Sequence, residues 1–600
     1  MAIFSSLVKR SLLPLFFVSN ALLAGAVYFT DPSQLTKTEY DFVIVGAGTA
    51  GSVLANRLSQ DANVTVLVIE AGASDVGNVV MEIPFLSPTL VGTSVDWNFT
   101  TVPQTGLDDR VLFYPRGKVL GGSSSTNLLI WNKGSNQVYD NWAKLTGDSE
   151  WSWNSLSNFY QKSTSFVRPT PSNNRLGHVN SLARSGGPVH VSINGVETGI
   201  DDYIFNTSVS LGGRFFFNID YNAGISLGTG FIQSSNGGGQ RNSAATAYLH
   251  PAELRPNLDI LINTQVTRLL TQSDANSTTP IFRTVEFAQD ASGPRSVVNA
   301  TKEVILAAGA IGTPQILLLS GIGPQEELSA LNISTVVNNS DVGLLVDHPM
   351  LVNYFSVDFN GTWDDAVRDP NQANALVLEW MTARDGLFVD SAGTFQSFQR
   401  LPTTPSDDPA SGKLSPHTEL IFAAGFAQFG ATPQPATGHY ITVVTGVLSP
   451  TSQGSLKLAS TDPFAHPLID PATLTTDFDV NTMVQAMKDA QTFLASPTFA
   501  PINPQPYGDL ANATTDEAKA AFARANGQTI FHPVGTAKMS PKGASYGVVD
   551  PDLLVKGAQG LRIVDASVIP QIPEAHTQAP VYIIAEKAAD LIRSTYNLQF

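Results

Sequence analysis

A glycine-rich turn between two short apolar segments constrains the fold of this chain more than any other feature. The segment DFVIVGAGTAG places Gly46, Gly48 and Gly51 in a G-x-G-x-x-G pattern directly after an apolar run. The residues that follow have helical apolar spacing, and a second apolar run ends at Glu70, whose carboxylate suits ribose hydroxyls. A strand, a glycine turn, a helix and a strand ending in an acid predict a Rossmann-like α/β domain that binds a dinucleotide.

Each residue of this turn has a predicted task. Gly46 makes the tight turn, Gly48 leaves room for a pyrophosphate, and Gly51 lets the helix pack closely on the strand. Thr49 and Ala50 stand at the helix N-terminus, which faces the phosphates. Because nicotinamide and flavin enzymes both use this unit, the segment leaves the dinucleotide open.

Length and composition set outer limits on the protein. At 600 residues the chain is too long for one core, so we expect at least two domains. The net charge of −17 argues against binding to nucleic acid or anionic lipid, because both need basic patches. The absence of cysteine excludes disulfides and thiolate metal sites. We expect a monomer without a bound metal.

Residues 1–26 have the pattern of a secretory signal, with a basic KR pair, an apolar run and an A-x-A cleavage site. A membrane anchor is the alternative, but Pro14, Ser19 and Asn20 interrupt the run, and a spanning helix needs ~20 apolar residues. We therefore expect a secreted, extracellular protein without stable membrane association. Asn63 adjoins the predicted second strand, so we expect it to be buried. The N-x-S/T sequons that fit a glycoprotein are Asn63, Asn98, Asn206, Asn276, Asn299, Asn332, Asn338, Asn360 and Asn512.

Two further segments are rich in glycine and hydroxyl residues. GKVLGGSSSTN, at 117–127, offers backbone and hydroxyl donors for another part of the cofactor. GAIGTPQILLLSGIG, at 309–323, follows a predicted strand, and we expect Thr313 and Pro314 to cap its helix.

Together with the first turn, these segments resemble the signatures of the glucose-methanol-choline (GMC) family of FAD oxidoreductases. Thr126 stands where that family usually has an aliphatic residue. The similarity runs from about Tyr40 to about Arg593 and is nearest to secreted fungal aryl-alcohol oxidases. The resemblance implies FAD as the cofactor.

The resemblance also implies the domain organisation. A Rossmann-like FAD-binding domain would be joined by a second, substrate-binding α+β domain built mainly from antiparallel sheet and helices. We expect most of the FAD-binding domain in 38–345 and mainly the substrate-binding domain in 346–525. The segment 526–600 would return to the FAD domain with the catalytic histidines.

By the same resemblance, seven more residues are expected to contact FAD: Val119, Ser123, Asn127, Val266, Asp565, Ala566 and Thr577. Relatives that attach FAD covalently carry a histidine in the first signature, where this chain has Thr126, so we expect non-covalent binding. The family motif G-x-N-L-x-D-H is one residue short here and lacks its asparagine, which puts the local loop geometry in question. We interpret His348, at its end, as structural.

The predicted catalytic residues are His532 and His576, which lie in two loops separated by a short strand. In GMC enzymes, the residue matching His532 lies before the reactive edge of the flavin, and the position of His576 holds histidine or asparagine. Alcohol oxidation needs a base for the hydroxyl proton and a donor for the developing alkoxide. We assign His532 as base and His576 as donor, and the reverse assignment stays open.

Aromatic residues around these histidines favour a flat substrate. Trp97 and Phe99 match the aromatic gate of aryl-alcohol oxidases, and Phe531 precedes His532. Either Phe426 or Phe429 would supply another gating ring. These walls favour an aryl or allylic primary alcohol as substrate. The resemblance to aryl-alcohol oxidases implies its oxidation to the aldehyde, with O2 reduced to hydrogen peroxide.

Three alternatives stay open at this point. A quinone-dependent sugar or alcohol dehydrogenase of the same family differs only in substrate and electron acceptor. A GMC-fold hydroxynitrile lyase would keep FAD without reducing it. A non-catalytic FAD-binding protein would have no need for both histidines.

Overall fold

The computed structural model describes residues 28–171, 186–272, 278–429 and 432–599. The predicted secretory signal and the sequon Asn276 lie outside the described residues. Within those ranges, no helix is long and apolar enough to cross a membrane. Asn63 is exposed in a turn, contrary to expectation, because the second strand begins only at Val66.

The first sheet carries the glycine-rich turn and is mostly parallel. Glu39–Val45 runs parallel to both of its neighbours, and its apolar residues are buried on both faces, as in α/β domains. The spatial order of its seven strands is Gln265–Gln272, Ile281–Ala288, Ser296–Leu306, Glu39–Val45, Val66–Ile69 and Leu258–Leu261, with Leu561–Ile563 also paired to Ser296–Leu306.

The mostly apolar run at 258–270 forms two strands in the structure. The run at 258–270 breaks after Leu261, because Asn263 adopts a left-handed conformation with φ of 54°. Leu258–Leu261 pairs in parallel with Val66–Ile69, whereas Gln265–Gln272 pairs antiparallel with Ile281–Ala288. The break places the two halves at opposite edges of the same sheet.

The second sheet is antiparallel throughout. It includes Gly228–Phe231 from the N-terminal half of the chain and Gln528–Thr529 from the C-terminal return. The spatial order of its seven strands is Gln505–Pro506, Pro349–Val357, His439–Val447, Thr418–Ala423, Gly393–Gln399 and Gly228–Phe231, with Gln528–Thr529 also paired to Pro349–Val357.

Helices and short strands complete the two layers. The helices are Thr49–Leu58, Val79–Glu82, Asn136–Thr146, Trp153–Ser163, Asp201–Leu211, Gly309–Leu319, Gln325–Ala330, Asp364–Arg368, Pro370–Ala383, Asp477–Leu494, Asp516–Asn526 and Gln578–Tyr596. The short strands are Phe99–Thr100, Phe113–Tyr114, Thr164–Phe166, Val189–Ile193, Gln233–Ser234, Ile322–Gly323, Val337–Asn338, Leu344–Leu345, Gly454–Lys457 and Leu468–Asp470. This arrangement confirms the predicted combination of a Rossmann-like α/β domain with a mainly antiparallel second domain.

The helix of the second signature begins earlier than predicted. It spans Gly309–Leu319, so Thr313 and Pro314 lie inside it and do not cap it. Pro314 cannot donate to the carbonyl of Ala310, which accepts a 2.8 Å hydrogen bond from the hydroxyl of Thr536 instead. The tertiary structure therefore supplies the hydrogen bond that the proline removes.

The C-terminal helix Gln578–Tyr596 ties the end of the chain to the first domain. Its buried Glu586 accepts hydrogen bonds from Arg57 at 2.6 Å and Tyr248 at 2.8 Å, and forms an ion pair with Lys162 at 3.0 Å. Removing one of these partners would leave the buried carboxylate without full compensation, which is strongly destabilising. The loop that carries His576 leads directly into this helix.

Candidate active site

A cavity of about 1080 Å³ is lined by residues of both sheets and contains most of the predicted site residues. Both predicted catalytic histidines line it. So do these predicted cofactor residues: Gly46, Gly48, Thr49, Ala50, Glu70, Ser123, Asn127, Val266, Asp565, Ala566 and Thr577. Gly51 and Val119 do not line it.

The glycine-rich turn is packed as the sequence predicted. Gly46 has a φ of 99°, and a Cβ on Gly51 would lie 1.9 Å from the carbonyl oxygen of Gly46. A Cβ on Gly122, in the first signature, would lie 2.7 Å from Cα of Gly48. The two glycine segments therefore meet with bare backbone, which leaves the close approach that a pyrophosphate needs at the N-terminus of Thr49–Leu58.

Glu70 stabilises this turn through hydrogen bonds to the backbone. Its side chain is buried, and its two oxygens accept 2.8 Å hydrogen bonds from the backbone N–H groups of Ala47 and Gly72. Burial raises the pKa of Glu70. The carboxylate lines the cavity while holding the turn, and its predicted bond to ribose hydroxyls stays a prediction.

Asp565 provides the helix cap that the sequence assigned to Thr313. Its carboxylate accepts hydrogen bonds from the N–H of Gly309 at 2.9 Å and the hydroxyl of Thr313 at 2.6 Å. It also accepts a 2.8 Å bond from the N–H of Ser567. Asp565 thus joins the C-terminal return to the first turn of Gly309–Leu319, a link that local sequence could not reveal.

Arg241 is a site-building residue that the sequence analysis missed. Its buried guanidinium donates to the side chain and backbone oxygens of Asn127 at 2.9 and 2.8 Å, and to the carbonyl of Ser124 at 3.1 Å. Burial lowers its pKa to about 9. Val119 lies behind this segment, buried against Met81 and other apolar side chains. No nearby sequence motif indicates a role for Arg241, and its charge is the only property that could have drawn attention to it.

The structure brings His532 and His576 together. Their ring centroids are 4.7 Å apart with an interplanar angle of 78°. Both side chains are nearly buried. The pKa of His532 lies well below its ordinary value, because burial disfavours its charged form and the guanidinium of Arg116 adds positive charge nearby. His532 is therefore neutral at neutral pH.

His348 contacts His532 without lining the cavity, a contact that the sequence analysis did not predict. Its Nδ1 lies 3.0 Å from Nδ1 of His532, and its Nε2 lies 3.1 Å from the carbonyl oxygen of Leu448. Burial lowers the pKa of His348 to about 3. Local sequence does not indicate this contact, because the two histidines are separated by 184 residues.

Asp347 fixes the backbone of the histidine loop. It accepts hydrogen bonds from the N–H groups of His348 at 2.7 Å and His532 at 2.8 Å, and from the hydroxyl of Tyr114. Burial raises the pKa of Asp347 to about 6. Next to it, Phe531 has a φ of 64°, a strained value for a non-glycine residue. The shortened D-H motif thus still organises this loop.

Glu419 stands behind His576. Its buried carboxylate lies 3.1 Å from Nε2 of His576 and accepts a 2.6 Å hydrogen bond from Gln396. Burial by itself raises the pKa of Glu419, but the charge and hydrogen bond of His576 hold it below its ordinary value. This contact holds the ring of His576 in place beside the cavity.

Aromatic rings line part of the cavity as predicted. Trp97 and Phe99 stack with centroids 5.4 Å apart, and Phe531 and Phe429 also line it. Phe426 does not, because it is buried and stacks on Tyr354 at 3.8 Å. The structure therefore selects Phe429 of the two alternatives.

One wall of the cavity was not predicted. Strands of the second sheet turn alternate side chains toward it, as period-two strands do. The hydroxyl of Tyr354 donates 3.0 Å to the carbonyl of Ala427, so it is already occupied. The residues of this wall are Met350, Val352, Tyr354, Gly393, Ile421, Ala423, Val444 and Gln528.

Family models and solved structures agree on what this chain is similar to. Models of the GMC oxidoreductase family match residues 40–350 and 450–585. A pyranose dehydrogenase from Agaricus campestris is 37% identical over 589 residues, covering 96% of this chain and 97% of the relative.

Two solved structures share the fold over almost the whole chain. Formate oxidase from Aspergillus oryzae, solved in a study of FAD modification, has a TM-score of 0.83 at 30% identity, covering 93% of this chain and 99% of that chain. A fungal aryl-alcohol oxidase has a TM-score of 0.79 at 25% identity, covering 94% and 100%. With bare glycine backbone at a helix N-terminus, the cavity also fits the pyrophosphate of FAD. The chain therefore belongs to the GMC oxidoreductase family and uses FAD.

Proposed function

We propose that this protein oxidises an apolar primary alcohol, aryl or allylic, to the aldehyde. The observation that carries the proposal is the wall formed by the second sheet. Its cavity-facing residues are apolar, apart from Tyr354 and Gln528, whose side chains already donate to the carbonyls of Ala427 and Phe429. A sugar needs several directed hydrogen bonds, whereas a flat apolar alcohol is held by contact with such walls.

The two histidines have different roles, one as base and the other as hydrogen-bond donor. His532 is neutral at neutral pH, so one of its ring nitrogens is unprotonated. This nitrogen takes the hydroxyl proton of the alcohol. His576, paired with Glu419, donates a hydrogen bond to the developing alkoxide oxygen. Bound FAD supplies the acceptor for the hydride that leaves the α-carbon.

Non-covalent binding of FAD is part of the proposal. Along the described lining of the cavity, the histidines are His532 and His576, and the chain contains no cysteine. Thr126 lines the cavity in the first signature, where covalently binding relatives carry histidine. These observations support a cofactor held by hydrogen bonds and packing.

Oxidation of a sugar with a quinone as acceptor is the second candidate. It is favoured by the 37% identity to a pyranose dehydrogenase. Side-chain amides of Gln428, Asn526 and Gln528 line the cavity and could meet a polar substrate. However, Gln528 already donates 2.6 Å to the carbonyl of Phe429, and Asn526 donates 3.0 Å to that of Phe522.

The deciding experiment follows the flavin band of the purified holoenzyme during anaerobic mixing. p-Methoxybenzyl alcohol is tested against D-glucose at equal concentrations, and air is then admitted while peroxide is assayed. Bleaching by the aryl alcohol alone, followed by rapid recolouring with peroxide, is the expected result. Bleaching by glucose that persists in air until a quinone is added would overturn the proposal in favour of the sugar dehydrogenase.

We also propose that the protein is exported and works outside the cell as a monomer, with O2 as electron acceptor. The support is the sequence pattern of residues 1–26. Expression of the complete chain in a fungal host should deliver it to the medium with residues 1–26 removed. Retention inside the cells with an intact N-terminus would contradict export.

A further inference from the structure

We propose that His348 is a positioning residue that fixes the proton of His532 on Nδ1 and leaves its Nε2 as the proton acceptor. The proposal rests on the proposed alcohol oxidation for its consequence. It rests on three consecutive hydrogen-bonding groups for its geometry: the carbonyl of Leu448, His348 and His532.

The direction of the hydrogen bonds begins at Leu448. Its carbonyl oxygen can only accept, and it lies 3.1 Å from Nε2 of His348. That nitrogen therefore carries the proton. A neutral imidazole has one N–H, so Nδ1 of His348 is left as an acceptor. His348 is neutral because it is fully buried and its pKa is about 3.

The contact between His348 and His532 then determines which nitrogen of His532 carries the proton. Nδ1 of His348 and Nδ1 of His532 are 3.0 Å apart, so one of them must donate. Since the nitrogen of His348 is an acceptor, the proton lies on Nδ1 of His532. Neutral His532 then has a free lone pair on Nε2. Within the described residues, no protein group bonds that nitrogen, and His532 lines the cavity.

The backbone holds the two rings in this geometry. The carboxylate of Asp347 accepts from the N–H groups of both histidines, at 2.7 and 2.8 Å, so the two residues are fixed to one anchor. The rings meet edge to face, with centroids 5.3 Å apart and an interplanar angle of 82°. In this arrangement each ring directs its Nδ1 toward the other, which is what the hydrogen bond requires.

The tautomer of His532 determines whether it can accept the proton of the alcohol. The other tautomer of His532 would present an N–H to the alcohol and could not take its proton. A catalytic histidine held in the wrong tautomer loses most of its value as a base. His348 thus determines, without touching the substrate, that His532 acts as a base and not as a donor.

The kinetic test compares two substitutions at His348 in the holoenzyme. His348→Leu removes both hydrogen bonds, whereas His348→Gln keeps an acceptor oxygen for His532 and a donor for Leu448. We expect His348→Leu to retain its flavin and its substrate KM but to slow anaerobic flavin reduction about 10- to 100-fold. His348→Gln should recover most of that rate. A wild-type rate in His348→Leu, or equal losses in both variants, would overturn the proposal.

A matched control removes a histidine that lies outside the cavity. His439 begins the strand His439–Val447 and lies 3.2 Å from the hydroxyl of Thr362. His439→Leu should leave flavin reduction unchanged. This control separates the effect on His532 from the general cost of losing a hydrogen-bonded histidine in the second sheet.

A second measurement decides the question if His348→Leu does not fold. In the wild-type protein labelled with ¹⁵N-histidine, His532 should show a protonated Nδ1 and an unprotonated Nε2, with its signals identified by their loss in His532→Ala. A protonated Nε2 would overturn the proposal. Because the spectrum needs no substrate, it tests the tautomer even if no alcohol bleaches the flavin, which would overturn the proposed function alone.

Discussion

At the scale of single residues, the two catalytic histidines differ because different groups stand behind them. His532 contacts a neutral imidazole at 3.0 Å, whereas His576 contacts a buried carboxylate at 3.1 Å. A neutral partner leaves a buried histidine uncharged, and a carboxylate stabilises the imidazolium. One ring can therefore accept a proton while its neighbour donates one.

The first prediction concerns the base. His532→Ala should slow flavin reduction by at least ~10²-fold, because it removes the assigned base from the cavity. The FAD content should stay at the wild-type level, since the glycine turn and Asp565 are untouched. Anaerobic stopped-flow reduction and the flavin-to-protein absorbance ratio measure both quantities. Near wild-type reduction would refute His532 as base.

The second prediction concerns the donor. Glu419→Gln should slow flavin reduction on the order of 10- to 100-fold, because His576 would lose the carboxylate that holds its ring in place to donate to the alkoxide. Glu286→Gln is the matched control, since Glu286 pairs with Arg268 on the first sheet, outside the cavity. The same stopped-flow assay compares the two. An unchanged rate in Glu419→Gln would remove the carboxylate from the mechanism.

At the scale of elements, the site depends on close approaches between segments. The helix Thr49–Leu58 can follow Glu39–Val45 so tightly only because Gly51 lacks a side chain. The N-terminal segment is held in another way: the hydroxyl of Tyr28 donates 2.6 Å to Glu253, which also lies 2.9 Å from His250. The first contact depends on shape, and the second depends on charge.

The third prediction follows from the shape of the turn. Gly51→Ala places a Cβ 1.9 Å from the carbonyl oxygen of Gly46, so the helix must shift. We expect a loss of about 3 kcal/mol of stability together with reduced FAD content. In Gly293→Ala, the matched control, the nearest atom would lie at an ordinary 3.5 Å. Thermal unfolding and flavin absorbance measure the effect, and a fully flavinated, stable Gly51→Ala would contradict it.

The fourth prediction follows from the charge of His250. Burial by itself lowers the pKa of His250, but Asp75 and Glu253 raise it to about 9. Since this value lies above the unfolded value of about 6.5, the bound proton stabilises the folded state below pH 6.5 and this contribution is lost as the pH rises through 9. His250→Gln should therefore lower Tm at pH 6 more than at pH 9.5. An equal difference at both pH values would argue against the charge.

At the scale of the whole molecule, the cofactor cavity lies where both sheets contribute walls. Residues of the first sheet supply the glycine turn, and strands of the second sheet supply the apolar wall. A ligand that contacts both parts binds only when both are folded, so it stabilises the whole chain by mass action.

The fifth prediction tests that coupling and the mode of attachment. Acid denaturation should release all of the FAD into the supernatant and leave a colourless protein pellet. Reloading the apoprotein with FAD at 100 times its Kd should add about 2.7 kcal/mol of stability, read as a rise in Tm. A pellet that keeps its flavin would show covalent attachment instead.

Local sequence was enough to predict those features whose conformation depends on neighbouring residues. The glycine turn, the strands beside it and the two loop histidines were found because local backbone conformation follows from nearby side chains. The cap of Gly309–Leu319 was misassigned because Asp565 reaches it from 252 residues away from Thr313. Local pattern names Thr313 as a capping residue, but only the folded chain shows which group meets the free N–H.

The partners of the two site histidines became visible only in the folded chain. His348 is 184 residues from His532, and Glu419 is 157 residues from His576. The choice of Phe429 over Phe426 likewise depends on the loop after Thr418–Ala423, which buries Phe426 against Tyr354. Hydrogen-bond partners and burial set protonation, and both arise from contacts between distant segments. Sequence therefore specified which residues carry the chemistry, and packing specified their charge and direction.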